Sequence, residues 1–228
     1  MKFVVVGMVR LSEIDQIKLG KELMKLSIKD ISNKVSKLYF LQIGNIDNDI
    51  LEFIKNLAIP YKITISKENY SSGWTFKNNE SLDDLYKTID DDCDWVLYPD
   101  MDDLLPENIN EILETANVKD SKVIRFHFIE CFGSVDDVIE IKQGYPIGPH
   151  FKAVKYSSNI TFHGSDGFNE PKGPLCRYET NFCVRHLRYA NFECLQKRKE
   201  MNYFQDYFLK NHNTIKFIEG QTINYYRK

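Results

Sequence analysis

Apolar runs of strand length alternate with helix-like segments along the N-terminal half of the chain. The strand-like runs cover residues 3–8, 35–43, 61–65 and 95–98, and the helix-like segments between them cover 13–30, 47–57 and 81–89. The first run is apolar at successive positions, as in strands that are buried on both faces of a parallel sheet. Strands that alternate with helices are joined by right-handed crossovers. This order predicts an α/β fold with a central, mostly parallel sheet flanked by helices.

The C-terminal half differs, because strand-like runs follow one another with less helix between them. These runs cover 123–132, 151–156, 159–162 and 178–184, and a helix is predicted over 189–210. We find no internal repeat and no low-complexity linker, and 228 residues with 43% hydrophobic content can bury one sizeable core. The sequence therefore predicts a single domain over residues 1–228, with a mixed C-terminal half.

The composition narrows the class of protein. A formal net charge of -3 and a pI near 6.0 give no global attraction to nucleic acid or anionic lipid. The five cysteines are odd in number and contain no Cys-x-x-Cys pair, so we interpret them as free thiols. No apolar stretch approaches the roughly 20 residues that span a bilayer, and the apolar N-terminus lacks a signal-peptide cleavage site. We expect a cytoplasmic protein without a transmembrane segment.

Three carboxylates directly follow the fourth strand-like run. Asp100, Asp102 and Asp103 end the apolar run, and Pro106 then begins a predicted helix. Crowded carboxylates repel one another, so keeping all three ionised requires a cation, basic neighbours or full solvation. Ligands of parallel sheets bind beyond the carboxyl ends of the strands, which is where these acids are expected. Their position predicts a metal-dependent site.

Asp100 and Asp102 are the predicted metal ligands within this group. Residues two apart in a strand point to the same side, so both carboxylates face one ion if the strand stays extended. Mg²⁺ and Mn²⁺ prefer oxygen ligands, and a Mg²⁺ site commonly takes one or two carboxylates beside water and substrate phosphates. The alternative is that Asp102 or Asp103 caps the following helix while the other acids are solvated.

A wider pattern surrounds the acids. Gly73 lies in a polar loop, Lys77-Asn78 precedes a helix near 81–90, and Asp100-Met101-Asp102-Asp103 and Pro106 follow the apolar strand. In this order, and over residues 3–116, the chain resembles the family-2-like glycosyltransferases of the GT-A fold. The resemblance implies that residues 1–116 bind a nucleotide sugar and residues 117–228 bind the acceptor. It also implies a Mn²⁺ or Mg²⁺ ion on the donor diphosphate, with a UDP-sugar as the donor expected first.

The resemblance further implies which residues contact the nucleotide. The first two strands are expected to end near Gly7 and Gly44, close to the bound nucleotide. The implied base-lining residues are Val6, Gly7 and Met8, the implied base- and ribose-binding turn contains Gly44, Asn45 and Asp47, and further nucleotide contacts come from Gly73, Lys77, Asn78 and Asp100. Asn45 and Lys77 depart from the serine and arginine that are usual in the family.

A glycine-bearing polar loop after a predicted strand holds the candidate acid-base residues. His163 and Asp166 lie in this loop, and Asp166 is the first candidate for the base that deprotonates the acceptor hydroxyl. The alternative is that Asp166-Gly167 is a simple turn and that His163 is a structural loop residue.

Two arginines flank a histidine at the predicted start of the last helix. Enzymes of the resembled family often place a histidine here against the metal or diphosphate, which makes His186 a further candidate metal ligand. Arg185 and Arg188 are candidate clamps for the diphosphate, because guanidinium groups offer planar, forked donors to phosphate oxygens. A structural histidine is the alternative at this position.

These features favour a metal-dependent glycosyltransferase that moves one sugar from a nucleotide sugar to an acceptor hydroxyl. The Gln-x-x-Arg-Trp signature of processive polysaccharide synthases is absent, which favours a single transfer. Two alternatives stay open. One is a sugar-phosphate nucleotidyltransferase, against which the lack of a glycine-rich, lysine-bearing loop near Gly7 argues; the other is a non-catalytic nucleotide-sugar-binding module. The pattern specifies neither the oligomeric state nor the acceptor, which is a glycan, a lipid-linked glycan or a nucleic acid.

Overall fold

The computed structural model describes residues 3–66, 77–90, 92–132, 134–135, 138–139, 150–157, 160–163, 170–171 and 175–190. Its helices span Glu13–Leu19 (α1), Lys21–Ser32 (α2), Asn48–Lys55 (α3), Lys77–Tyr86 (α4) and Ile109–Val118 (α5). Its strands span Val5–Ser12 (β1), Lys37–Ile43 (β2), Tyr61–Ile65 (β3), Trp95–Leu97 (β4), Asp103–Leu104 (β5), Val123–Phe132 (β6), Val138–Ile139 (β7), His150–Lys155 (β8), Phe162–His163 (β9), Glu170–Pro171 (β10) and Arg177–Tyr189 (β11).

One nine-stranded sheet organises the described residues. Its strand order is β3-β2-β1-β4-β8-β6-β11-β5, with β7 on β6, while β9 and β10 form a separate two-stranded ribbon. The strands β1, β2, β3 and β4 are all parallel. In the second half, β8 runs antiparallel to both β4 and β6, and β11 runs parallel to β6 but antiparallel to β5. The predicted α/β fold, with a parallel N-terminal sheet and a mixed C-terminal half, is confirmed.

Alternate residues of the central strands fill separate cores on the two faces of the sheet. On β1, Val5 and Val9 belong to the core covered by α1, α2, α3 and α5, whereas Val6 and Met8 belong to the core covered by α4. This division follows from the two-residue period of a strand. Full burial of such side chains stabilises the fold by roughly 1.5–3 kcal/mol each. The apolar runs of the sequence arise because helices cover both faces.

The first strand extends beyond its predicted end. β1 continues to Ser12 because Arg10 and the two residues after it stay in parallel register with β2. Gly7 therefore lies in the middle of β1, and the prediction that it marks the carboxyl end of the strand is wrong. A Cβ at Gly7 would lie 2.6 Å from Leu38 Cδ2, so a larger residue there would force the Leu38 side chain to shift. It is Arg10 that lies near the carboxyl end of β1.

The helix predicted over 13–30 is divided into α1 and α2. Gly20 separates them with a φ of 78°, a conformation that residues with a Cβ rarely adopt. Side chains cap the starts of α1 and α3. Ser12 Oγ accepts from Asp15 N at 3.0 Å, and Asp47 Oδ1 accepts from Asp49 N at 2.9 Å.

The last described strand corrects the prediction for the C-terminal half. Residues 185–188 were predicted to open a helix, but they lie in β11, which ends at Tyr189. The backbone there pairs with β6 on one side and β5 on the other, and this pairing extends the strand through charged residues. Residues 191–210 of the predicted helix lie outside the described residues. Among the helices that are described, none has the length and apolar character needed to cross a membrane.

Candidate functional site

Residues 100–103, here called the acid turn, form a hydrogen-bonded turn between β4 and β5. Asp103 N donates to Asp100 O at 3.1 Å, and Asp100 N donates to Asp103 Oδ2 at 2.8 Å. The backbone is therefore not extended here, and the prediction that Asp100 and Asp102 share one side of a strand is wrong. The capping alternative is also wrong, because the cap residue of α5 is Asn108.

A histidine from the last described strand joins the acid turn. Asp102, Asp103 and His186, here called the acid-histidine cluster, each bring one potential ligand atom within 4.8 Å of the others. His186 of β11 pairs with Asp103 of β5, and its Nε2 lies 2.7 Å from Asp102 Oδ2. Leu187 N donates to Asp102 O at 2.6 Å, so backbone contacts also hold the turn against β11. Two segments distant in sequence thus build one cluster of metal-binding groups.

Two basic side chains hold the other end of the acid turn. Arg10 Nη2 lies 3.0 Å from Asp100 Oδ1. Lys152 of β8 places its Nζ 2.5 Å from Asp100 Oδ2 and 2.8 Å from Asp103 Oδ2. The Lys152 residue is only 3% exposed. An ammonium group removed from water in this way requires paired carboxylates, which Asp100 and Asp103 supply.

Burial and neighbouring charge shift the pKa values of Asp100 and Asp103 in opposite directions. Burial raises the pKa of Asp103 to about 6, although Lys152 opposes the rise. Burial acts in the same direction on Asp100, but Lys152 and Arg10 outweigh it and lower the pKa of that carboxyl to about 2. For Lys152, burial lowers the pKa, but Asp100 and Asp103 more than offset this and raise it above its usual value. The Asp100 end is therefore electrostatically satisfied, whereas Asp103 resists ionisation.

A fourth acid approaches the turn from α1. Burial raises the pKa of Asp15, a hydrogen bond with Ser12 opposes the rise, and the charge of Asp102 adds to it. Ser12 Oγ lies 2.5 Å from Asp15 Oδ2. Asp15 and Asp102 thus repel each other when both are ionised, and a cation bound near them would relieve this repulsion.

The donor atoms of the acid-histidine cluster fit a divalent cation. Carboxylate oxygens suit Mg²⁺ and Mn²⁺, and imidazole nitrogen suits transition metals, so the mixed set favours Mn²⁺. Within the described residues, Asp103 Oδ1 is buried without a hydrogen-bond partner, which is costly for a carboxylate oxygen. Asp100, a predicted ligand, lies outside this cluster and contacts Arg10 and Lys152.

The predicted base- and ribose-binding turn is held by α1 and α2. Asn45 N donates to Glu13 Oε2 at 3.0 Å, and Asp47 Oδ2 lies 2.7 Å from Lys21 Nζ. Gly44 adopts a φ of 77°, and a Cβ there would lie 2.7 Å from Glu13 Oε2. These contacts give Gly44 and Asp47 structural roles, while the side chain of Asn45 is exposed, as a ligand contact requires.

The other predicted site residues fall in different parts of the molecule. Val6 and Met8 are fully buried in the core beside Gly7. Arg185 is exposed, and it points away from the face of β11 that carries His186, since adjacent strand residues alternate. The structure places the backbones of Lys77 and Asn78 in α4, of His163 in β9 and of Arg188 in β11, whereas Gly73 and Asp166 lie outside the described residues.

Sequence reasoning missed three charged residues of the site, namely Arg10, Asp15 and Lys152. A signal existed for Lys152, which shares a strand face with the buried Val154 and so places a lysine on an apolar side. Arg10 was missed because it interrupts the apolar run that was used to end β1. Asp15 gave no signal, because an acid in the first turn of a helix is common without any ligand.

Comparisons with known proteins give distant structural likenesses. No protein-family model matches the chain, and no curated protein matches it. Staphylococcus aureus TarS in complex with UDP-GlcNAc is 12% identical with a TM-score of 0.44, over 61% of this chain and 37% of that chain. HddC from Yersinia pseudotuberculosis is 12% identical with a TM-score of 0.48, over 88% of this chain and 100% of that chain. The 4-diphosphocytidyl-2C-methyl-D-erythritol synthase from Anaerococcus prevotii is 9% identical with a TM-score of 0.43, over 88% of this chain and 96% of that chain.

The chain spans little more than a third of the length of the TarS chain that it matches. At these identities and TM-scores, the likenesses assign no activity to the chain.

Proposed function

We propose that the chain is a metal-dependent glycosyltransferase, which moves one sugar from a nucleotide sugar, with a UDP-sugar as first choice, to an acceptor hydroxyl. The acid-histidine cluster of Asp102, Asp103 and His186 carries the proposal. It lies beyond the carboxyl end of β4, where ligands of parallel sheets bind. The resemblance of residues 3–116 to glycosyltransferases of the GT-A fold supports the same class.

Mn²⁺ is the proposed cofactor, with Mg²⁺ as the alternative. Asp102, Asp103 and His186 would hold it, and a bound ion would offset the charge that develops on the departing diphosphate. Asp100 is proposed to contact the nucleotide beside these ligands. Arg10 and Lys152 prepare the site, because they neutralise the Asp100 end of the acid turn in advance. Such preorganisation lowers the cost of binding an anionic donor.

Further nucleotide and diphosphate contacts are proposed at some of the predicted positions, leaving out Val6 and Met8, which are buried in the core. Asn45 is the strongest of these, because its side chain is exposed on the turn before α3. Arg188 of β11 is proposed to meet the diphosphate, whereas Arg185 lies on the face of β11 opposite His186. Lys77 and Asn78, at the start of α4, are proposed to reach the nucleotide.

His163 and Asp166 are the proposed acid-base residues. The neighbouring Phe162 packs edge-on against Tyr98, with ring centroids 5.1 Å apart, and Tyr98 lies two residues before Asp100. This contact supports the proposal, because it holds β9 beside the strand that leads to the acid turn. A base at this position would take the proton of the acceptor hydroxyl as the anomeric carbon is attacked.

The proposal is tested by calorimetric binding of UDP in the presence of Mn²⁺. The Asp102→Asn variant should bind at least about 100-fold more weakly than wild type, because a ligand oxygen with full charge is lost. Asp120→Asn is the matched control, since Asp120 is an exposed acid whose side chain is 83% accessible and pairs with Lys122. Equal affinity of Asp102→Asn and wild type would contradict the proposal.

A donor panel then separates the enzyme classes. Transfer or slow hydrolysis of a nucleotide sugar supports the glycosyltransferase. Release of pyrophosphate from a nucleoside triphosphate and a sugar phosphate would identify a nucleotidyltransferase instead. Binding of a nucleotide sugar without turnover under any acceptor would indicate a non-catalytic module.

A further inference from the structure

A buried lysine lies at the acid turn, on the other side of an aromatic ring from His186. Lys152 Nζ lies 5.3 Å from the centre of the Phe128 ring, and the same ring packs edge-on against the His186 ring at 5.6 Å. The strand order agrees, since β6, which carries Phe128, lies between β8 and β11. The ammonium and the imidazole thus approach the acid turn from two sides.

The ammonium bridges two carboxylates in the way that a bound cation would. Lys152 Nζ contacts Asp100 Oδ2 and Asp103 Oδ2, and both oxygens lie within 2.8 Å of it. Asp103 is completely buried, and the Lys152 side chain is 4% exposed. Water therefore does little to screen the attraction between these charges.

We propose that Lys152 is a positioning residue that takes the place of a second cation at the acid turn. It holds Asp100 and Asp103 together before any metal binds, and it leaves a single ion position, on the side of Asp102 and His186. The inference rests on the metal site of the proposed function and adds a limit of one divalent ion at the acid turn. Lys152 itself contacts no metal in this arrangement.

Removal of the ammonium should make folding depend on metal. Without it, Asp100 and Asp103 are left as close carboxylates with less compensating charge, which destabilises the folded chain. A divalent ion can then fill the vacated position and restore stability by binding only the folded state. In wild type, the ammonium already fills that position, so the added ion should increase the stability of the folded state less than in the variant.

The test measures the melting temperature of Lys152→Met with EDTA and with saturating Mn²⁺, without nucleotide. We expect Mn²⁺ to raise the melting temperature of this variant by about 5 °C or more beyond its effect on wild type. Lys152→Arg keeps the charge and should respond as wild type does. Lys155→Met removes another lysine of β8, which pairs with Asn117 rather than the acid turn, and should also respond as wild type does.

If Lys152→Met does not fold in EDTA, it is purified in Mn²⁺, and the expected result is unfolding when the metal is chelated. A smaller variant, Lys152→Gln, should show the same rescue. A rise no larger than that of wild type for both Met and Gln variants would overturn the inference. The proposed function fails by a different result, namely unaltered binding of Mn²⁺ and UDP by Asp102→Asn, so the two failures are distinguishable.

Discussion

The two ends of the acid turn differ in what compensates their charge. At one end, Asp100 is held by Arg10 and Lys152, and its pKa falls to about 2. At the other end, Asp102 contacts the imidazole of His186, and the charge of Asp15 lies nearby. Acids of one short turn are therefore not equivalent. Fixed cations of the protein satisfy the first end, and the second end keeps the negative potential and the mixed donor set that suit an added metal ion.

The largest expected effect concerns Asp103, which lies between the two ends. Its folded pKa is about 6, above the usual 3.8, so the folded chain holds this proton more tightly than the unfolded chain. Its protonation therefore stabilises the fold fully below about pH 3.8, and this stability is lost as the pH rises through about 6. Between pH 4 and 7 in EDTA, wild type should lose up to about 3 kcal/mol of unfolding free energy relative to Asp103→Asn.

Urea denaturation at both pH values measures this difference. The control is Asp84→Asn, which alters an exposed acid of α4 and should follow wild type at both pH values. If the difference in unfolding free energy between wild type and Asp103→Asn is the same at both pH values, burial does not raise the pKa of Asp103.

The next effect sharpens the contrast between the faces of β11. We expect His186→Ala to weaken Mn²⁺-dependent UDP binding by about tenfold or more, because the imidazole ligand is lost. Arg185→Ala, one residue away on the opposite face, should change the affinity by less than about threefold. Calorimetry measures the Mn²⁺-dependent UDP affinity of both variants. A loss for Arg185→Ala as large as that for His186→Ala would assign the diphosphate to the exposed face of β11.

The parallel half of the fold was largely predictable from local pattern. β1, β2 and β4 appear as apolar runs because both of their faces are buried, whereas β3, at the edge of the sheet, is only partly buried. The position of Asp100, Asp102 and Asp103 after β4 follows from the same pattern. The ends of β1 and β11 were mispredicted, because Arg10 and Arg185 break the apolar pattern while the backbone pairing continues through them. Strand pairing, which comes from distant residues, outweighs local polarity at both places.

The different charge partners of the acids in the acid turn were not predictable from the sequence. The charge of Asp100 is compensated by Lys152, which the antiparallel pairing of β8 with β4 brings beside it. The sequence alone does not show that Lys152, which follows Asp100 by 52 positions, lies beside it. The meeting of His186 with Asp102 likewise depends on β11 pairing with β5. Only the resemblance to glycosyltransferases of the GT-A fold pointed to it.

The smallest expected effect concerns the support of the turn from α2. Ser27 Oγ is buried and donates to Asp103 O at 2.9 Å, so Ser27→Ala should reduce the unfolding free energy by about 1 kcal/mol. It should also weaken Mn²⁺-dependent UDP binding a few-fold, since the turn is less firmly held. Ser32→Ala removes an exposed bond of the same type, from Ser32 Oγ to Lys29 O, and should leave binding unchanged. Equal binding by both variants would show that α2 does not position the acid turn.

The most direct measurement is the anomalous scattering of manganese in a crystal soaked with Mn²⁺ and UDP. We expect one manganese peak at the acid turn, within coordination distance of Asp102 and His186, with Lys152 still paired to Asp100. A peak between Asp100 and Asp103 with Lys152 displaced, or two peaks at the acid turn, would contradict the distinction between its satisfied end and its metal-binding end.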